Sequence, residues 1–161
     1  MARRALPEQI EFTGADTGRA LAALDELVAA SAGWANLYPE VEEDDARAVT
    51  PSAVASWFRV PGPPIPQATF IAPTDGRRGR TPAQVGLTHG VGATVVPRLA
   101  EQGLPLPEGW AVVQDHLRRG LVVRLDDPPD TMAVLGWSLR AIEALCPIPV
   151  TGGWLAEVHR G

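Results

Sequence analysis

Residues 85–103 read VGLTHGVGATVVPRLAEQG, placing His89, Gly90, Gly92, Thr94 and Val95 between an apolar run and a stretch of helical spacing. A glycine turn ahead of a helix can hold an anion, because the first amides of the helix have no partner within it and glycine lets a ligand approach the backbone. GVGATV supplies the first two glycines of a G-x-G-x-x-G dinucleotide fingerprint, and Asp115 at the end of the next strand stands where that fingerprint needs an acid. The third glycine position is Val95, whose branched side chain obstructs close helix–strand packing, and the chain turns back at LRRG instead of making a crossover helix. A Rossmann domain is therefore not the reading these residues favour.

Pro97 sets where the helix begins. In a helix interior it would cost about 3 kcal/mol, whereas with Thr94 as N-cap it falls in the first turn, where its missing N–H is not needed. The helix is predicted from Val95, leaving the amides of Val95 and Val96 to face an anion. A second polar group, Asp115, His116, Arg118 and Arg119 in DHLRRG, follows the next strand. In the topology predicted below, both groups emerge on one sheet edge with His89 and His116 about 10 Å apart, too far to share a metal but close enough to flank a ligand.

Other chemistry has little support. Ser138 lies mid-helix without a G-x-S-x-G elbow, and Cys146 ends a helix, where the dipole does not favour a thiolate. All 14 basic residues are Arg, and the absence of Lys removes Schiff-base chemistry. An all-Arg chain rich in Ala, Gly and Pro fits a GC-rich genome, which weakens any argument from the choice of a given Arg. The acidic run PEVEEDD, residues 39–45, lacks the ligand alternation of a calcium loop and reads as a solvated loop. Neither a metal nor a cofactor is expected.

The elements that must position these residues follow from periodicity. A helix is predicted over 16–33, with Leu21, Leu24 and Val28 on one face, and a short one from the Thr50–Pro51 cap to Phe58. VPGPPIP, residues 60–66, is a stiff connector; QATFIAP is a strand; TDGRRGRTP is an exposed loop carrying Arg77, Arg78 and Arg80. From residue 84 the order is βαββαβ, and this predicts an α+β, ferredoxin-like antiparallel sheet over residues 84–160. An N-terminal helical extension and one additional strand would cover the sheet or extend its edge. The chain is thus expected to form a single domain, with 1–66 as extension and connector and 67–161 as sheet core.

In the last predicted helix Met132, Leu135, Leu139, Ile142 and Cys146 form one stripe, which places Cys146 in the core. Trp137 lies on the opposite side and is the candidate interface residue, toward the N-terminal helix or a second subunit. His159 is expected to be exposed.

At 161 residues and a formal charge of −5, the chain is long enough for a core of its own and carries no broad basic footprint for nucleic acid. No apolar run of signal or membrane-span length occurs, and one cysteine permits no internal disulfide, so a cytoplasmic location is expected. Together these features lead to a small binding or regulatory module that acts through a protein partner or as a homodimer. The alternative is an enzyme or sensor holding a small anionic metabolite or nucleotide at the Gly90–Thr94 corner, with His89 or His116 as general acid or base.

Overall fold

The structure, a computed structural model, describes residues 6–49 and 64–161. The predicted Thr50–Phe58 helix and the start of the proline connector lie outside these. Along the chain the elements are β1 (Glu8–Thr13), α1 (Gly18–Ala30), β2 (Trp34–Val41), α2 (Glu43–Val49), β3 (Gln67–Ile71), β4 (Thr74–Gly76), β5 (Gly79–Thr81), β6 (Gln84–Thr88), α3 (Val96–Glu101), β7 (Ala111–His116), β8 (Gly120–Arg124), α4 (Thr131–Leu145) and β9 (Val150–His159).

Alternating side chains build the sheet. Ile10 and Phe12, Ala35 and Leu37, Ala68 and Phe70, Val85 and Leu87, Leu121 and Val123, and Trp154, Ala156 and Val158 are buried, while the residues between them point to the other face. Seven strands pair in the order β1-β9-β2-β3-β6-β8-β7, every neighbour antiparallel. β4 and β5 form a separate hairpin where an exposed loop is predicted. Its Arg80 donates to Asp127 at 2.8 Å and to Asp75 and Ser31 at 2.9 Å, so one of the three loop arginines serves the fold itself.

This order corrects the ferredoxin-like expectation for residues 84–160. The local part of that arrangement does form: β6 and β7 run parallel with β8 between them. The last strand, however, does not return beside β6. It crosses β6, β3 and β2 and inserts between β1 and β2. The N-terminal half is therefore integral to one sheet, not an extension of it, because β1, β2 and β3 each offer an apolar face that must be buried.

α1 and α4 pack against each other, and α4 also touches β2, β3 and β6. α1 buries Ala20, Ala23, Leu24 and Leu27, and each leucine contributes about 1.5–3 kcal/mol by leaving water. Asp130 caps α4 as its sequence position requires, accepting from Ala133 N at 3.1 Å. The predicted α4 stripe is wider than five residues: Met132 is 69% exposed and Cys146 only half-buried, whereas Val134, Trp137, Ser138, Ala141 and Leu145 join the core.

Candidate functional site

The glycine corner satisfies its own amides. α3 begins at Val96 with Val95 as cap, one residue later than predicted, and Thr94 is exposed and makes no capping bond. The cap comes from β7 instead. The Asp115 carboxylate accepts from Val95 N at 2.9 and 3.1 Å and from Val96 N at 3.0 Å. The two amides predicted to meet an external anion thus meet an internal one, which neutralises the positive end of a helix of only six residues.

The other predicted residues are spread around this bond set. His89 is 2% exposed; its Nδ1 accepts from Val91 N at 3.3 Å and its Nε2 has no partner. Burial, reinforced by Arg98 and opposed by Asp115, lowers its pKa below the ordinary histidine value. A neutral, enclosed imidazole is poorly placed to exchange protons with a substrate. His116 fastens the β7–β8 turn, its Nδ1 accepting from the backbone of Arg118 at 3.0 Å and Arg119 at 3.2 Å. Gly120, at φ +82°, lets the hairpin lie against β6, since a Cβ there would stand 2.3 Å from Leu87 O. Gly90 and Gly92 form an exposed turn, and Arg118 and Arg119 stand in solvent without an ion pair among the described residues.

Trp137, the candidate interface residue, is 2% exposed and packs within this chain. Its ring meets Trp110 edge-on at 5.5 Å and its Nε1 donates to Pro105 O at 3.3 Å. The neighbour predicted as the N-terminal helix or another subunit is the 104–110 segment.

A different set of polar side chains is brought together on the sheet face that α1 and α4 leave uncovered. Pairing places Glu11, Leu155 and Tyr38 in one row across β1, β9 and β2, and Gln9, Glu157, Asn36 and Thr69 in the next, across β1, β9, β2 and β3; His159, Trp34 and Ile71 follow. Thr69 donates to Asn36 Oδ1 at 2.8 Å, Asn36 Nδ2 donates to Glu157 at 3.4 Å, and Glu157 meets His159 Nε2 at 2.7 Å. Trp34 stacks on the His159 ring, centroids 4.6 Å apart and 11° from parallel. Burial raises the Tyr38 pKa, the Glu157 charge adds to this, and a bond with Asn36 opposes it.

Sequence reasoning passed over this array because Asn36 and Pro39 obscure the alternation of WANLYPEV, and because His159 read as an exposed terminal residue. The signal was there in β9, where Glu157 and His159 alternate with Ala156 and Val158. Chemically, the array offers a stacking surface, a carboxylate–imidazole pair and amide groups. Thr69 spends its hydroxyl hydrogen on Asn36, so it is not activated as a nucleophile.

A cleft of about 700 Å³ opens where β1, β9 and β2 end, lined by Glu11, Thr13, Arg19, Tyr38, Glu40 and Leu155 among others. A groove of about 320 Å³ runs between the start of α1 and α4, past Thr17, Leu21, Leu139 and Arg140. None of the predicted corner residues lines either one. Among the described residues no cluster of three or more metal-ligating side chains occurs, and no helix is long and apolar enough to cross a membrane. Comparison with known proteins gives no match: no family model fits the chain, and no curated protein or solved structure is similar to it.

Proposed function

We propose that this protein is a binding module that works by association, and that its recognition surface is the open face of the seven-stranded sheet. One observation carries the reading: this face holds its aromatic and polar side chains in a bonded array, Trp34–His159–Glu157–Asn36–Thr69, with no helix over it among the described residues. Side chains already fixed in one geometry lose little rotamer freedom when a partner arrives, so the array is preorganised for contact. The corner reading is weaker, because Asp115 occupies the donors that an anionic ligand would need.

Photo-crosslinking in the cells that make the protein tests this. A photoreactive residue at position 71, on the open face, should form covalent adducts that mass spectrometry can identify. The same residue at position 132, exposed on the helical face, should form few. Adducts from 132 and none from 71 would end the proposal.

A further inference from the structure

We propose that the open face binds a second copy of this chain, sheet against sheet, about a two-fold axis parallel to the strands and passing over β3; this rests on the association reading above. The argument is the distribution of charge. On the open face, β1 carries Glu11 and β9 carries Glu157, the latter bonded to His159, with Arg19 and Glu40 in the cleft beside Glu11; the β8–β7 side carries Arg124 and His116, with Arg118 and Arg119 at the adjoining hairpin tip. Glu11, Arg118, Arg119 and Arg124 have no ion-pair partner among the described residues. Seven strands at about 4.8 Å spacing set the two outer strands about 29 Å apart, farther than the Debye length at physiological salt, so these groups cannot satisfy one another in one molecule.

A two-fold rotation about an axis along β3 exchanges the two sides. β1 of one copy then lies over β7 of the other, β9 over β8 and β2 over β6, which sets Glu11 at the level of His116, next to the Arg118–Arg119 tip. An axis across the strands would instead set β1 on β1 and β7 on β7, each edge on its own like. β3 is the fourth of the seven strands, and its last residue, Ile71, is 44% exposed beside Trp34, so the axis sets Ile71 of one copy on Ile71 of the other. Such an interface is self-complementary and closed, as isologous dimers are.

Sedimentation equilibrium decides it. The wild-type chain should approach twice 17.1 kDa with rising concentration, and added salt should shift it back toward monomer. Ile71→Glu, on the surface and checked for native circular dichroism, should weaken the dimer by roughly tenfold or more. Glu11→Arg should weaken it as well, and adding Arg118→Glu and Arg119→Glu to Glu11→Arg should restore it, which a merely structural effect would not do. A wild-type monomer at every concentration, or a dimer indifferent to Ile71→Glu, overturns the second copy. The crosslinks from position 71 then separate the two ideas: adducts to a different protein sustain the binding face, and no adducts remove both.

Discussion

Asp115 and His89 show how single residues decide what the glycine corner does. Val95 is fully buried, so its amide needs a partner inside the protein, and Asp115 supplies it. Asp115→Ala should therefore lower stability by about 1–2 kcal/mol in urea unfolding, whereas Asp115→Asn, which keeps one acceptor, should lower it less. Equal losses would mean that charge, not the acceptor, matters. His89 gives a pH signature. Its folded pKa is lowered, so between that value and its unfolded value near 6.5 the unfolded chain binds the extra proton. The contribution is fully present above about 6.5 and is lost as pH falls below it, at no more than about 1.4 kcal/mol per pH unit. Urea midpoints between pH 5 and pH 8 should show this slope, and His89→Asn should flatten it; an unchanged slope would assign it to another group.

Within elements, α4 carries a hydroxyl that its surroundings do not use. Ser138 is 1% exposed and its Oγ has no partner, so Ser138→Ala should stabilise the protein by about 0.5–1.5 kcal/mol through removed desolvation and better helix propensity. A loss of stability in urea would reveal a bond to that oxygen. α4 also shows the limit of reading a helix by one stripe. Leu135, Leu139 and Ile142 point inward as their spacing demands, but Trp137 is buried by the 104–110 segment, whose approach no periodicity within α4 encodes. Strands 84–88, 111–116 and 120–124 are legible from their own apolar and β-branched residues, and the long helix after Asp130 from its cap and stripe. The corner is legible as a place of free amides but not as a filled one, because the residue that fills it comes from another strand.

On the scale of the whole molecule, the two ends of the chain complete each other. β9 lies between β1 and β2, so that Ala156 pairs with Ile10 on one side and Leu37 on the other, and Trp154 with Phe12 and Pro39. No local pattern announces this, because strand order is fixed by which apolar faces remain uncovered after hairpins form, and β9 is equally apolar wherever it is inserted. The topology makes a sharp prediction about residues 84–161, the stretch that reads as a self-sufficient βαββαβ unit. Alone it would lack both partners of β9 and the β3 partner of β6, leaving Trp154, Ala156 and Val158 on a strand with nothing beside it. α4 would lose α1 and its contacts with β2 and β3 as well. The fragment should therefore show no cooperative urea transition and no near-ultraviolet tryptophan dichroism, while the full chain shows both in one step. A cooperative transition in the isolated fragment would mean that β9 can return beside β6, and that the seven-stranded order is not the only sheet this sequence can build.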